Sequence, residues 1–553
     1  MVLIGMKNEF KKTSPLSLLF SLLILVALLL TGIPAFAQGS GGLPQTIKIE
    51  SGKVSGQALG DNKDVMVFRG IPYAKPPVGT LRWKPPEEVK AWKGIRESTA
   101  YGPACMQPDV LRAWGVDVGK QSEDCLYLNV WTAAKSAKDR RPVMMWIHGG
   151  GNSAGASYVT ITDGEALARQ GVVVVSINYR IGVFGYFAHP LLSKESKYKV
   201  SGNYGLLDMI AALKWIKKNI KAFGGDPNRV TIFGESAGAL NVSLLMASPL
   251  AKGLFHRAIT ESGYVFTTRA NRHLRELWYG NEPMEKQGER IVKDLGYPEA
   301  ADLLTALRAL SAEKLLEGSK AALVATPGKN TFAPVIDGWA LPDDVMTLFE
   351  AGKLNLVPLI AGANADEMTM FIPKSPFDKV EAYQAMVKKM YGKFGDDVLV
   401  MYPVNKPEDI RKAMCDSQGD AIFVSSTRRL VRAMQKAGGQ AYLYHYTMVL
   451  PGRWSAAGAF HGAEVIFVFD NVKRSKEPFE AKHRNLAKVM SGYWVQFAKT
   501  GNPNKPGTEE WPAYDLSKDQ HLEFGELVKV GQWLRKEHCD LWDKFVTTQP
   551  KKR

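Results

Sequence analysis

The sequence predicts one large α/β domain, built on a mostly parallel, twisted central sheet with helices on both faces. Three observations predict it. Short apolar runs, 143–147 (VMMWI), 172–177 (VVVVSI) and 230–233 (VTIF), have the continuous hydrophobicity of strands buried on both sides. Helix-period segments separate and follow them, and strand signals resume at 356–361 and 441–446 after long helix-rich stretches. The 553 residues are 45% hydrophobic and 23% charged, an ordinary globular composition that excludes a largely disordered chain. Only 4 cysteines exclude a disulfide scaffold.

The chain opens with Lys7, Lys11 and Lys12, then the apolar run 16–30 (LSLLFSLLILVALLL), then Ala35-Phe36-Ala37. A positive start, an apolar centre and a small-x-small site form a signal peptide, and the helix breakers Gly32 and Pro34 argue against a retained anchor. Residues 1–37 are therefore expected to be cleaved after Ala37, leaving 38–553 as a single exported domain, periplasmic or extracellular, with no stable membrane span. The whole chain carries 71 basic and 55 acidic residues, a net charge of +16; loss of the leader leaves +14. No long Lys/Arg run interleaves with aromatics, so the excess reads as a basic surface and not as a nucleic-acid groove.

After a Gly/Ser tether, strands are expected at 46–54 and 65–68. Cys105 and Cys125 bracket a loop holding Pro108, Gly115 and Gly119, and export makes a bridge there permissible. Closing such a loop contributes about 3 kcal/mol in the chain-entropy account. The distance in sequence between Cys415 and Cys539 does not decide whether they pair. A helix is expected at 163–170 and a longer amphipathic one at 204–223, where Leu206, Leu207, Ile210, Leu213, Trp215, Ile216 and Ile220 fall near 3.6 spacing. Segments 264–330 and 373–437 read as helical insertions over the sheet, not as separate domains.

Gly234-Glu235-Ser236-Ala237-Gly238 follows the strand 230–233 and precedes an apolar helix-like run. A serine at a sharp strand-to-helix turn projects its hydroxyl beyond the sheet, and glycines two positions either side relieve the crowding. The hydroxyl is a weak nucleophile and needs a base. Of the 9 histidines, His461 sits in a small-residue loop, Gly458 to Glu464, after the strand 441–446; His445 lies within that strand, and His483, His521 and His538 lie in polar surroundings. The base needs an orienting acid, and the loop after 356–361 carries two adjacent carboxylates, Asp366 and Glu367, between which the residues alone do not choose. His148-Gly149-Gly150-Gly151 follows strand 143–147, so its amides can approach a ligand closely. The run lacks the Lys-Ser/Thr of a P-loop and does not form G-x-G-x-x-G, so with Ser236 present it reads as an oxyanion hole.

Ordered stretches across nearly all of the mature chain resemble the type-B carboxylesterase/cholinesterase family of α/β-hydrolases. They are 68–78 (FRGIPYAKPPV), 122–131 (SEDCLYLNVW), 203–208 (NYGLLD), 223–238 (FGGDPNRVTIFGESAG), 461–469 and 497–504 (FAKTGNPN). The resemblance implies Ser236 as nucleophile, Glu367 as acid and His461 as base, with the amides of Gly150, Gly151 and Ala237 as oxyanion donors. It also implies a bridge between Cys105 and Cys125. Phe332 resembles an acyl-pocket aromatic, and Trp114 lies near where cholinesterases hold a cation. With Glu235 these make the candidate substrate-pocket residues.

The expected activity is hydrolysis of a small-molecule carboxylic ester through an acyl-enzyme on Ser236, with no metal or organic cofactor. The alternatives are a choline-ester, amide or lactone substrate, or a non-catalytic binding relative. A net charge of +14 favours uncharged or anionic esters over cationic ones.

Overall fold

A computed structural model describes residues 42–267, 272–297, 302–325 and 332–549; the leader lies outside the described residues. Eleven strands form the central sheet: β1 (Gln57–Leu59), β2 (Val65–Pro72), β3 (Tyr127–Thr132), β4 (Arg141–Ile147), β5 (Val173–Ile177), β6 (Gly225–Glu235), β7 (Arg257–Glu261), β8 (Leu359–Asn364), β9 (Ala441–Tyr446), β10 (Gln520–Phe524) and β11 (Val528–Gln532). Their order across the sheet is β1-β2-β3-β5-β4-β6-β7-β8-β9-β10-β11. Every pairing from β5 to β10 is parallel, and the pairings outside that block are antiparallel.

Alternation along β4 shows why its sequence is continuously apolar. Val143, Met145 and Ile147 enter the core on one face of the sheet, and Met144 and Trp146 enter the core on the other. The first face is covered by α1 (Tyr204–Asn219), α2 (Ala237–Ala247) and α3 (Ser425–Lys436), through Leu206, Met209, Leu213, Leu240, Leu244 and Leu430. The second is covered by α4 (Ala481–Thr500), through Met490, Trp494 and Phe497.

The expected helix at 204–223 is α1 followed by a 3-10 turn, Ile220–Phe223, and it stops at Gly224, whose φ of 77° closes the turn in the left-handed region. It is buried almost all round, with only Lys214, Lys217 and Lys218 exposed along its length, and a buried ion pair holds its N-terminal half. Asp208 takes two bonds from the Arg180 guanidinium, at 2.8 and 2.7 Å, and one from its backbone N–H at 3.0 Å. This ties α1 to the segment leaving β5.

The strand expected at 46–54 is a hairpin, Thr46–Ile49 with Gly52–Ser55, which joins Ile95–Glu97 in a separate three-stranded sheet. The strand expected at 356–361 starts later, at Leu359, because Pro358 has no N–H to give the ladder and Leu359 makes the first bond to Gln440. Helices fill the described parts of both insertions, including Met284–Asp294, Ala312–Ala325, Val380–Tyr391 and Pro407–Gly419. The described residues from Leu43 onward form one compact unit. Cys105 and Cys125 are bridged, whereas Cys415 and Cys539 are free, buried thiols.

Three buried histidines, His148, His445 and His521, are pushed down to about 4 by burial. Each stays neutral in the fold while the unfolded chain takes up a proton below about pH 6.5. Each therefore contributes stability that is full near neutral pH and is lost as pH drops from about 6.5 towards 4, roughly 1–3 kcal/mol per histidine. Urea midpoints of the wild type and of His521→Gln at about pH 7 and about pH 4.5 check this: the variant is expected to lose less on acidification, and an equal loss would contradict it.

Candidate active site

Ser236, His461, Glu367 and the glycine run 149–151 follow the carboxyl ends of β6, β9, β8 and β4. β6 ends at Glu235, and Ser236 follows at φ 57°, ψ −121°, a left-handed conformation that a side chain rarely adopts. Two contacts impose it. A Cβ on Gly234 would lie 2.5 Å from the Ile147 carbonyl oxygen, and one on Gly238 would lie 2.0 Å from the same atom. Only glycines let the end of β4 sit inside this turn. Ser236 N–H donates to the Glu261 carbonyl at 2.8 Å, and α2 begins at the next residue.

The glycine run after β4 packs on the same turn. A Cβ on Gly149 would lie 3.1 Å from Ser236 Cβ. Gly150 has φ 99° and its carbonyl accepts from the N–H groups of Ser153 and Ala154, both at 3.0 Å. Among the described residues the N–H groups of Gly150 and Gly151 have no protein acceptor, and Ala237 heads a helix whose first amides are free by geometry. His148 holds the loop from below: its ring stacks on Tyr179 at 4.4 Å, and Tyr179 donates to the His148 carbonyl at 2.8 Å.

His461 is buried, and its Nδ1–H donates to Glu367 Oε2 at 2.5 Å. Its Nε2 lies 3.0 Å from Glu235 Oε1 but not in hydrogen-bonding alignment, so neither atom has a bonded partner. Burial disfavours the imidazolium, but the carboxylates of Glu235 and Glu367 outweigh it and hold His461 above its ordinary range. Burial likewise pushes Glu235 up, against the pull of His461. Asp366 takes a different part: its carboxylate accepts from Ala459 N–H at 2.8 Å and its own N–H donates to the Ala459 carbonyl at 3.0 Å, clamping the histidine loop to the end of β8.

Several groups around the imidazole carried no signal in the sequence. Ser262 Oγ–H donates to Glu367 Oε1 at 2.6 Å, and Asn364 N–H donates to the same oxygen at 2.7 Å, so both acceptor atoms of Glu367 are engaged. Phe423 and Phe371 set their rings 4.6 and 5.3 Å from the imidazole. Phe423 lies in a π-helical turn, Asp420–Val424, inserted between Pro407–Gly419 and α3. Asp420 secures that turn by accepting from Tyr402 Oη at 2.7 Å and pairing with Arg535 at 2.8 Å. An isolated Phe, Ser or Asn has no spacing by which to be recognised.

The three candidate pocket residues come from separate segments of the chain. Phe332 is buried in a separate cluster with Trp83, Phe184, Phe187 and Tyr204. Trp114 ends a 3-10 turn, Leu111–Trp114, and its side chain lies outside the described residues. Glu235 faces His461. Two cavities, of about 770 and 910 Å³, lie elsewhere, the first lined by Trp83, Trp215 and Trp339 among others, the second by Arg429, Arg432 and Asp543.

Comparison with known proteins bears on the whole chain. A family model described as the carboxylesterase family matches residues 44–542. The fumonisin B1 esterase of Sphingopyxis macrogoltabida is 37% identical over 518 residues, covering 90% of this chain and 91% of its own. Carboxylesterase 1C of Rattus norvegicus is 33% identical over 545 residues, covering 93% and 95%. Among solved structures, a PNB esterase superposes with a TM-score of 0.76 at 31% identity, over 90% of this chain and 99% of its own. No helix among the described residues is long and apolar enough to cross a membrane. With a parallel sheet of this order and esterase relatives matched along almost their full length, the chain belongs to the carboxylesterase family, has the α/β-hydrolase fold and is a carboxylic ester hydrolase.

Proposed function

We propose that hydrolysis proceeds through an acyl-enzyme on Ser236, with His461 as general base and acid and Glu367 as its orienting carboxylate. The observation that carries this reading is the 2.5 Å bond from His461 Nδ1 to Glu367, which directs the opposite ring nitrogen towards the Glu235-Ser236 turn. His461 Nε2 takes the Ser236 proton as Oγ attacks the ester carbonyl. The amides of Gly150, Gly151 and Ala237 receive the developing oxyanion, each such donor typically being worth about 10²–10³ in rate. His461 then protonates the leaving alcohol. A water deprotonated by the same nitrogen releases the acid and restores Ser236.

The substrates proposed are uncharged or anionic carboxylic esters. The net charge of +14 after loss of the leader supports this. Export to an oxidising compartment is proposed from the leader pattern and the Cys105–Cys125 bridge.

Ser236→Ala is expected to retain its melting temperature and to lose at least about four orders of magnitude in kcat on p-nitrophenyl esters, and the wild type is expected to take up one equivalent of an organophosphorus label. Full turnover in Ser236→Ala would remove the nucleophile assignment. Glu235→Gln removes a carboxylate that favours the imidazolium, so the His461 pKa falls and neutral base persists to lower pH. The acidic limb of kcat/KM is expected to move down by about one pH unit, and an unmoved or raised limb would contradict the coupling. Phe423→Ala frees one side of the imidazole and is expected to lower kcat by about 10- to 100-fold with a smaller effect on KM, with partial recovery in Phe423→Leu.

A further inference from the structure

A second layer of carboxylates lies behind His461 and Glu367. Glu261, the last residue of β7, is fully buried between Glu235 of β6 and Gly362 of β8, its partners in register. Its Oε1 accepts from Trp494 Nε1 of α4 at 2.8 Å, and its Oε2 has no partner among the described residues. Glu464, three residues after His461, is also fully buried; its Oε2 accepts from Asn364 Nδ2 at 2.5 Å, and its Oε1 has no partner. The hydroxyls of Tyr444 and Tyr446 on β9 are buried and unpaired as well. Among the described residues the ion pairs of this cluster run from His461 to Glu235 and Glu367, and none reaches Glu261 or Glu464.

Carboxylates gathered in one buried cluster without enough cations are not all stable as anions, and the least stable takes up a proton. We propose that Glu261 stands in the folded enzyme as a neutral carboxylic acid and thereby limits the negative charge of the buried cluster behind His461. Glu261 touches no reacting atom; it is a positioning residue that acts through the charge of this cluster. Burial drives its carboxyl well above the ordinary range, Glu464 and Glu235 add to that, and the Trp494 hydrogen bond only partly opposes them. The titratable and polar groups around it are Glu235 from β6, Glu464 from the histidine loop, Tyr444 from β9 and Trp494 from α4; none is cationic.

The inference rests on His461 as the base, so its test has one readout that needs no turnover. Difference infrared spectroscopy of wild type against Glu261→Gln at neutral pH is expected to show the carbonyl stretch of a protonated acid, lost in the variant. The acidic limb of kcat/KM is expected to stay within about 0.3 pH unit in Glu261→Gln, because a neutral amide replaces a neutral acid, whereas Glu235→Gln moves it. A Glu261→Gln limb displaced downward as far as that of Glu235→Gln, with no acid band lost, would overturn the proposal. Should Glu261→Gln not fold, the wild-type spectrum followed from about pH 6 to about pH 9 against Glu464→Gln and Glu235→Gln decides: a protonated-acid band retained in both variants supports Glu261 as its source, and a band absent from the wild type or lost in either variant refutes it.

Discussion

The contact on which the site depends is backbone against backbone: the Ile147 carbonyl at the end of β4 lies within the space that a side chain at Gly234 or Gly238 would occupy. That approach makes the chain turn sharply between β6 and α2 and holds Ser236 in a positive-φ conformation. It also brings the glycine run after β4 against the serine, since Gly149 packs on Ser236 Cβ. The proposed nucleophile and oxyanion donors are thus set by one packing constraint. The backbone strain is sustained by the surrounding parallel strands, which are buried on both faces and cannot shift independently.

Around this turn the chemistry is organised by buried charge. His461 lies between Glu367, which fixes one ring nitrogen, and Glu235, which lies close to the other. Glu367 is anchored by Ser262 and the Asn364 amide, so its charge is well solvated by the protein itself. Among the described residues Glu464 and Glu261 have no cationic partner, and one oxygen of each is buried without a hydrogen bond. The aromatic rings of Phe371 and Phe423 shield the imidazole, which strengthens each of these interactions by excluding water. The π-helical turn that delivers Phe423 has its own buried anchor in Asp420, so a distortion of a distant helix serves the geometry of the histidine.

The strands nearest the site were readable because burial on both faces leaves a continuous apolar run, as in 143–147, and the serine turn because its steric demand is local and selects glycine. The strand 257–261 was not, since Arg257, Thr260 and Glu261 break the apolar pattern and only its parallel neighbours make it a strand. Leu359–Asn364 was displaced from its expected position by Pro358 and extended through a polar Asn364 whose amide is used by Glu464 and Phe460.

Adjacent carboxylates illustrate the remaining gap. Asp366 and Glu367 are equivalent as residue types in one loop, and resemblance to a family singled out Glu367. In the folded chain Glu367 reaches the imidazole, while Asp366 clamps the histidine loop through Ala459. Phe332, a candidate pocket residue, packs in a hydrophobic cluster with Trp83, Phe187 and Tyr204. The sequence by itself determined the fold class, the serine turn and the identity of the family, because these rest on periodicity, on local steric demand and on long ordered motifs. Tertiary structure alone decided which carboxylates face His461, which of them lack a cation and which aromatic rings enclose it, because those depend on through-space distances between segments far apart in the chain.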